Sequence, residues 1–417
     1  MAFSTVVGSD GITSLVGTTG TDVSAIFTLT ENVFIGGNTG DDFVDIDLVP
    51  AAVATDYEIR MGGGDDDLGI LDPISFSDIS LDGETLANDG NDIFVATVVL
   101  ESEVVGRGGN DKFAIGLFDN SELNGNTGND FIDIRDSVDS EIYGGQGNDQ
   151  IFTNGPSVET TIYGNKGVDT ILIGYKADGT KQTNTAGTII PIAFTDSAVY
   201  GGQGDDTIRF NSDSNIFASG DLGSDNIDAQ GQGNNEIEGG DGNDTINTGR
   251  GNDDVDGGSG ADIINTRNGV DTISGGAGKD IITAGKAADV YSGGADVDTF
   301  VIGNSDSNVG SNKSTGYDTI TDFAGGTDKI DLTFAVTGYS AITPTKNTGG
   351  SSLSADLSKY LGGFNVGQAK SITIGGAVDW AGSYIVVNTG AAGKYDQSDL
   401  VIQVASVTGV TATGTFI

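Results

Sequence analysis

Short alternating runs of apolar and polar residues recur along the chain, separated by glycine- and aspartate-containing turns. From residue 239, seven consecutive nonapeptides read GGDGNDTIN, TGRGNDDVD, GGSGADIIN, TRNGVDTIS, GGAGKDIIT, AGKAADVYS and GGADVDTFV. The eighth place is always apolar: Ile246, Val255, Ile264, Ile273, Ile282, Tyr291 and Phe300. An apolar residue between polar neighbours predicts a short strand with one buried face. The double glycine returns only in every other unit, so the structural period is 18 residues, with two turns and two strands in each coil.

The sixth place of each nonapeptide holds aspartate, and the same turn recurs upstream at double spacing. Asp92, Asp111, Asp130, Asp149 and Asp169 lie 19, 19, 19 and 20 residues apart, and Asp206, Asp225 and Asp244 lie 19 apart. Asp22, Asp42 and Asp66 are looser copies. The 37-residue gap between Asp169 and Asp206 predicts either one coil with a large insertion or two coils with one degraded turn. We therefore expect a first edge of Asp-bearing turns from about residue 17 to 301, and a second edge that is glycine-rich only from about 230.

The composition of the chain excludes several kinds of catalytic site, metal site and partner. The chain has 68 glycines among 417 residues, and 18 basic against 61 acidic residues give a net charge of −43. Without histidine or cysteine it lacks a Ser-His-Asp triad, His-ligated zinc, thiol nucleophiles and Fe–S clusters. A strongly negative chain repels nucleic-acid phosphates, and no run of 18 apolar residues predicts a membrane span. We expect neither a nucleic-acid partner nor a transmembrane segment.

Parallel stacking would place each turn carboxylate above the next, about 4.8 Å away. Such a column is repulsive unless cations lie within it. Aspartate side chains and turn carbonyls are hard oxygen ligands, and they suit calcium better than magnesium, which prefers strict octahedral geometry and retained water. The alternative is that Asp and Asn only cap the turns by hydrogen bonding.

The nonapeptides resemble the GGxGxDxUx repeats of the RTX (repeats-in-toxin) calcium-binding family. The segment GYDTITDFAGGTDKIDL, residues 316–332, is similar to the segment that closes many RTX rolls, with Asp318, Asp322, Asp328 and Asp331 at matching positions. The resemblance implies an all-β fold, a right-handed parallel β-roll of about fifteen coils with a small C-terminal β cap or domain.

The expected organisation follows from these patterns. Residues 1–16 form an N-terminal cap, 17–303 the roll, 304–335 the closing segment, and 336–417 a C-terminal β-region with a type I secretion signal. Within the roll, 19-residue coils extend to about residue 230, and nonapeptide pairs occupy 239–301.

The resemblance also implies that several calcium ions are shared between the sixth-place carboxylates and the backbone carbonyls of stacked turns. The candidate metal-binding residues are Asp42, Asp92, Asp111, Asp130, Asp149, Asp169, Asp206, Asp225, Asp244, Asp253, Asp262, Asp271, Asp280, Asp289 and Asp298, with Gly239, Gly257, Gly275 and Gly293 in the turns. Asn235 stands where an aspartate is expected, and Lys286 lies inside a turn, which weakens the expectation for the second edge.

Members of the family that leave the cell through type I systems carry an uncleaved C-terminal signal. The last residues, LVIQVASVTGVTATGTFI, are uncharged and rich in hydroxyl and aliphatic side chains, as such a signal requires. We therefore expect a secreted protein, extracellular or at the cell surface of a Gram-negative-type bacterium.

No catalytic motif accompanies the array, so we expect no enzymatic activity. The first hypothesis is a calcium-dependent structural protein of a surface layer, sheath or filament, whose partners are its own copies, cell-surface polysaccharide bridged by calcium, or both. The alternative is a stand-alone adhesion or carbohydrate-binding module. A calcium-dependent polysaccharide lyase or epimerase is disfavoured because the scattered arginines form no catalytic cluster. An ice-binding roll would need regular rows of outward threonine, which the turns lack.

Overall fold

The computed structural model describes residues 4–7, 13–16, 27–29, 33–48, 54–55, 58–70, 73–75, 77–81, 90–176, 180–181, 192–303, 317–324, 327–332, 338–342, 357, 361, 365–366, 368–374, 382–389, 395 and 399–405. The chain divides into two compact units, Met1–Gly223 and Ser224–Ile417. Within the described residues, no helix is long and apolar enough to cross a membrane.

Unit 1 consists of short strands in two sheets. In chain order they are β1 (Ser4–Val7), β2 (Thr13–Val16), β3 (Phe27–Leu29), β4 (Val33–Thr39), β5 (Phe43–Leu48), β6 (Ala54–Thr55), β7 (Glu58–Gly63), β8 (Asp67–Ile70), β9 (Ile74–Ser75), β10 (Asp78–Ser80), β11 (Ile93–Leu100), β12 (Glu103–Val105), β13 (Lys112–Asp119), β14 (Glu122–Thr127), β15 (Phe131–Val138), β16 (Glu141–Gln146), β17 (Gln150–Thr153), β18 (Ser157–Val158), β19 (Thr161–Lys166), β20 (Thr170–Ile173), β21 (Phe194–Thr195), β22 (Ala198–Gln203), β23 (Thr207–Asn211) and β24 (Phe217–Leu222).

Unit 2 continues the same pattern and adds a C-terminal group of strands. Its strands are β25 (Asn226–Gln230), β26 (Glu236–Asp241), β27 (Thr245–Thr248), β28 (Asp254–Ser259), β29 (Ile263–Asn265), β30 (Thr272–Ala277), β31 (Ile281–Thr283), β32 (Val290–Ala295), β33 (Thr299–Ile302), β34 (Asp318–Ile320), β35 (Lys329–Leu332), β36 (Gly338–Ile342), β37 (Gln368–Ile374), β38 (Gly382–Val387) and β39 (Leu400–Val404).

In each unit the strands of the coils pair in parallel with the equivalent strands one coil later. Each unit has two sets of such strands, and we call the first set sheet I: it contains β14, β16, β19 and β22 in unit 1 and β26, β28, β30 and β32 in unit 2. The other, sheet II, contains β11, β13 and β15 in unit 1 and β27, β29, β31 and β33 in unit 2. The predicted parallel β-solenoid is therefore confirmed.

The core of each unit is a set of apolar ladders between the two sheets. All seven eighth-place residues of the nonapeptides are at most 2 % exposed, as their alternation predicts. About eleven turns are regular, somewhat fewer than the fifteen predicted. The prediction counted every acidic turn, but the copies around Asp42 and Asp66 lie 24 and 26 residues from the next one. These longer coils are broken into short strands such as β9 and β10.

The long gap between Asp169 and Asp206 is one coil with an insertion. β19 pairs directly with β22, and β20 pairs directly with β23, so no additional coil lies between them. The chain leaves the roll after β20 and returns at β21, which pairs with β18. Of the two possibilities that the spacing allowed, the strand register selects the insertion.

A ladder of hydroxyls forms the second edge of unit 1, where the sequence lacks glycine-rich turns. The Ser102 N–H donates to Ser121 Oγ at 3.0 Å, and the Ser121 N–H donates to Ser140 Oγ at 3.2 Å. Each hydroxyl in turn donates to the carbonyl two residues earlier, as Ser121 does to Asp119 at 2.8 Å. The residue before each serine turns the chain with a positive φ, 48° at Asn120. This corner is therefore held by hydrogen bonds alone.

Both ends of the chain contribute strands to sheet I. β1 and β2 form an antiparallel hairpin, and β2 pairs in parallel with β4, at the position predicted for the N-terminal cap. In unit 2, β37, β38 and β39 are antiparallel neighbours, and β39 also pairs in parallel with β34. The strand that opens the predicted secretion signal is thus a buried part of the sheet.

Candidate calcium-binding turns

The candidate aspartates of unit 1 form one column, because each carboxylate binds the backbone of the preceding coil. The Asp111 N–H donates to Asp130 Oδ1, and the Asp130 N–H donates to Asp149 Oδ1, both at 2.8 Å. The same bond, 2.7–2.9 Å long, links Asp42, Asp66, Asp92, Asp111, Asp130, Asp149, Asp169 and Asp206 in order. All eight residues are at most 2 % exposed.

Unit 2 carries two such columns, one on each edge. The first column joins Asp225, Asp244, Asp262, Asp280 and Asp298. The second column joins Asn235, Asp253, Asp271 and Asp289. The second column therefore passes without a break through the turns TRNGVD and AGKAAD, which depart from the glycine pattern.

The closing segment extends both columns of unit 2 by one coil. Asp318 Oδ1 accepts from the Asp289 N–H, and Asp328 Oδ1 accepts from the Asp298 N–H. Asp322 accepts from the N–H groups of Gly293 and Gly294, so it closes the last double-glycine turn. Asp318 and Asp328 therefore accept a backbone N–H of the preceding coil as the repeat aspartates do, and Asp322 accepts the N–H groups of the last double-glycine turn.

A second ladder runs beside the aspartates in the opposite direction. The residue before each aspartate is often asparagine, and its Oδ1 accepts from the backbone of the following coil: Asn129 N–H to Asn110 Oδ1 and Asn148 N–H to Asn129 Oδ1, both 2.7 Å. Unit 2 repeats the contact between Asn252 and Asn234 at 2.7 Å. Neighbouring turns are thus joined by side chains in both directions, which fixes their register.

The second carboxylate oxygen faces into the turn. On the first edge, Oδ2 of Asp130, Asp149, Asp169, Asp262 and Asp280 is buried and has no hydrogen-bond donor. A buried oxygen in this state carries the full cost of desolvation. Beside it lies a glycine with no room for a side chain: a Cβ on Gly257 would lie 2.5 Å from the Gly275 carbonyl oxygen and 2.7 Å from Asp262 Oδ2. Each turn of the first edge therefore contains a small space bordered by a carboxylate and a carbonyl oxygen.

The second edge differs at the equivalent position. Thr248 and Thr266 replace the first glycine of the turn, and their hydroxyls lie beside Asp253 and Asp271, where they lower carboxyl pKa values that burial raises. Each hydroxyl donates its proton to a carbonyl of the next coil, as Thr266 does to Ala284 at 2.7 Å. Oδ2 of Asp253 and Asp271 therefore remains buried without a donor, and a threonine side chain occupies part of the space beside it.

Burial raises the pKa of several first-column carboxyls. The pKa of Asp149 rises to about 7, first through desolvation and then through the neighbouring charges of Asp130 and Asp169. Desolvation likewise raises the pKa of Asp130, Asp169 and Asp280 to about 6. The hydrogen bond from the preceding coil opposes the shift in each case. The folded structure therefore favours either a proton or a cation at these carboxylates.

These donors fit calcium. They are all oxygens, and the turns of Asp130, Asp149, Asp169, Asp262 and Asp280 each offer a carboxylate oxygen without a donor next to a main-chain carbonyl. No three acidic side chains of the described residues converge on one point, so carbonyls must complete the coordination. Calcium accepts such mixed carboxylate and carbonyl sets with flexible geometry. A bound ion would supply the positive charge that the column of carboxylates lacks.

Comparison with known proteins agrees with this arrangement. A family model described as the RTX calcium-binding nonapeptide repeat matches in four copies, at residues 139–155, 196–217, 230–264 and 266–300. The chain therefore carries RTX calcium-binding nonapeptide repeats in these four segments. The matched segments contain eight of the candidate aspartates after residue 200 and Asp149 before it.

Other comparisons add little to the match with the RTX repeats. No curated protein matches it. Among solved structures, it is similar to a hyperactive, Ca²⁺-dependent, β-helical antifreeze protein from an Antarctic bacterium, with 20 % identity and a TM-score of 0.41. That match covers 77 % of this chain and 86 % of the other. The fold assignment rests on the strand register of the chain itself.

The structure places every candidate aspartate in a column, and it adds Asp66, which the sequence marked only as a loose copy of the turn, and several glycines. Asp66 lies between Asp42 and Asp92 in the first column although its spacing is irregular. In unit 1 the glycines that lie against Oδ2 are Gly106, Gly125, Gly144, Gly164 and Gly201. Each stands five residues before its aspartate, as Gly239 does before Asp244, and that spacing was the available signal. Asp22 lies outside the described residues.

Asp262→Asn separates metal binding from turn capping. Asparagine keeps the oxygen that accepts the Asp244 N–H at 2.8 Å but removes the charge and the free carboxylate oxygen. We expect Asp262→Asn to bind fewer calcium ions by equilibrium dialysis while remaining folded in saturating calcium. Asp262→Ala should also lose about 1–3 kcal/mol in urea unfolding, because the Asp244 N–H is left unpaired. The control is Asp254→Asn, an exposed carboxylate of β28. Unchanged calcium stoichiometry in Asp262→Asn would show that the side chain only caps the turn.

Protonation of the first-column carboxyls at low pH should stabilise the fold without calcium, although only in part. The pKa values of the first-column carboxyls are about 6 to 7 in the folded chain, above the usual value of about 3.9 in an unfolded chain. Protonation therefore stabilises the metal-free fold fully below pH about 4, and this stabilisation is lost as the pH rises through 6 to 7. In excess EDTA, circular dichroism should show more β-structure at pH 5 than at pH 7.5, whereas saturating calcium should remove the difference. Equal spectra at both pH values in EDTA would contradict the expectation.

Proposed function

We propose that the protein is a secreted structural component of the cell surface or extracellular matrix, which folds when it binds calcium outside the cell. It acts as a calcium-stiffened scaffold in a surface layer, sheath or filament, and it has no enzymatic role. The observation that carries the proposal is the in-register stacking of buried carboxylates whose second oxygen has no donor.

That stacking makes the folded state depend on calcium. A net charge of −43 expands the metal-free chain, and the columns concentrate the repulsion where coils must approach. In the proposal, calcium occupies the first-column turns of both units, from Asp42 to Asp206 and from Asp225 to Asp298. The second column, with Asp253, Asp271 and Asp289, holds calcium more weakly because Thr248 and Thr266 take part of its space. Metal binding is then part of the free energy of folding.

The proposed partners are further copies of the chain and cell-surface polysaccharide bridged by calcium. A groove of about 760 Å³ along the second edge of unit 1 supports the second partner. Glu103, Glu122 and Glu141 stand in register along it, and burial followed by the charges of Glu103 and Glu141 raises the pKa of Glu122. Such a row attracts divalent cations, which can also bind the oxygens of an acidic polysaccharide.

A second candidate function, saccharide binding by a single module, is supported by a slot in sheet I of unit 1. Gly202 has no side chain between Asn165 and Asp221 in neighbouring strands, which leaves a space of about 340 Å³ beside Tyr163 and Tyr200. Aromatic rings, amides and a carboxylate are groups that bind sugar hydroxyls. The stacked tyrosine rings, 5.2 Å apart, cover each other's faces, so the slot offers mainly polar contacts.

Calcium titration and electron microscopy test the structural role together. Circular dichroism should show a cooperative gain of β-structure at roughly 10⁻⁴ to 10⁻³ M calcium, as for extracellular calcium modules. Purified protein in calcium should then form lattices or filaments that EDTA dissolves. Complete β-structure in EDTA at neutral pH would contradict calcium-dependent folding. Calcium-folded protein that stays monodisperse and binds glycans would favour the saccharide-binding module instead.

Export can be tested without disturbing the fold. β39 ends at Val404 and belongs to sheet I, so removing residues 400–417 would damage both the sheet and the proposed signal. A chain that ends at Ala405 keeps β39 and loses only 406–417. We expect this chain to fold in calcium in vitro but to remain in the cell pellet, because the type I signal is incomplete. The control removes residues 1–3, before β1. Normal secretion of the chain that ends at Ala405 would exclude residues 406–417 as a necessary part of the signal.

A further inference from the structure

The outer face of sheet II in unit 2 is uncharged across four consecutive strands. Along β27, β29, β31 and β33 one outward row consists of Thr245, Ile263, Ile281 and Thr299, paired in register. Ile263 and Ile281 are 49 % and 41 % exposed, large fractions for isoleucine. We call this surface the neutral face.

The row beside it is also neutral. Its outward residues are Asn247, Asn265, Thr283 and Val301, which lie two positions along the same strands. A neutral surface of this kind is unusual in a chain with 61 acidic residues. Sheet I of the same unit carries Glu236, Glu238, Asp254 and Asp256 on its outer face, and sheet II of unit 1 carries charged residues such as Lys112 and Asp133.

We infer that the neutral face is the contact through which a second copy of the chain binds, sheet against sheet. The inference rests on the proposed self-assembling function and names the surface that performs it. Two copies of a protein with net charge −43 repel each other in most orientations. At the neutral face the apolar side chains of two copies can meet without bringing carboxylates together.

The face is suited to a two-fold contact. Its centre lies between Ile263 and Ile281, so a two-fold axis there places the isoleucines of one copy against those of the other. Charges appear only at its two ends, Asp228 in β25 and Lys329 with Asp331 in β35. When the coil order of the second copy is reversed, β25 of one copy lies opposite β35 of the other, with Asp228 in the row of Asp331 and Lys329 in the neighbouring row, so the end charges of both signs meet. Isoleucine, threonine and valine form the flat, pleated surface that packs well between sheets about 10 Å apart.

The area of the neutral face sets the affinity that we expect for the contact between two copies. Four strands at about 4.8 Å spacing span about 14 Å, and the two rows give roughly 200–300 Å² per copy. A stable dimer usually buries about 800 Å² per partner. The contact is therefore weak in isolation and becomes effective when many copies are held together, as in a surface layer.

A pair of matched double variants tests the inference. Ile263→Glu with Ile281→Glu places two charges on the neutral face. Thr272→Glu with Val290→Glu places two charges on sheet I of the same unit, in β30 and β32. All four positions are outward and directly follow a repeat aspartate, and Val290 is 42 % exposed, close to Ile281. The two double variants thus share charge, repeat position and distance from the calcium turns.

Sedimentation velocity over a wide concentration range in saturating calcium, with electron microscopy of the assemblies, provides the measurement. Circular dichroism in the same buffer verifies that each variant folds. We expect association of the neutral-face variant to weaken at least tenfold and its lattices to disappear, while the sheet I variant assembles as the unmodified chain does.

When both variants fold, any other result overturns the inference. If the neutral-face variant still assembles, or if both variants weaken equally, another surface mediates contact and the proposed structural function stands. If the unmodified chain stays monomeric at every concentration and on electron-microscopy grids, the neutral face has no such role and the self-assembling function fails with it. If the neutral-face variant does not fold, the single variants Ile281→Glu and Val290→Glu are compared by the same sedimentation measurement.

Discussion

The stacking of identical acidic turns in register is the constraint on which the rest of this structure depends. A parallel solenoid repeats each side chain one coil later, so an aspartate that forms a good turn once becomes a column of carboxylates. The two oxygens of each carboxylate have different surroundings. Oδ1 accepts the backbone N–H of the preceding coil, and Oδ2 faces into the turn, where that of Asp149 and Asp262 has no donor. The first interaction fixes register, and the second creates the demand for a cation.

The turns on the two edges of the coils are held by different side chains. In unit 1 the second edge uses Ser121 and Ser140, whose hydroxyls accept from the preceding coil and donate to a carbonyl of their own coil. In unit 2 the second edge returns to aspartate, with threonine hydroxyls in part of the space. Calcium-dependent and hydrogen-bonded corners therefore coexist in one chain. A hydrogen-bonded edge can keep neighbouring coils associated while the acidic edge responds to calcium.

Charge is distributed by position within the coil. Acidic residues are concentrated in the turns and on parts of sheet I, whereas four strands of sheet II in unit 2 present only neutral side chains outward. Calcium can neutralise the turns but has no ligands on the flat neutral face. In the proposed assembly, folding and contact between copies therefore depend on different surfaces and different forces, electrostatic for the first and apolar for the second.

The sequence by itself determined the repeat, the buried row and most of the aspartate column. Local spacing is enough for this, because Asp262 and Ile264 obey the same nine-residue rule as Asp280 and Ile282. Only the tertiary structure decided that the loose copy at Asp66 makes the same hydrogen bonds as the regular turns, that the segment after Asp169 is an insertion within one coil, and that Asp318 and Asp328 continue the two columns of unit 2. These contacts join residues 26 to 37 positions apart, where the spacing is irregular. Their register is set by strand pairing and core packing across the coil, which a local pattern does not contain.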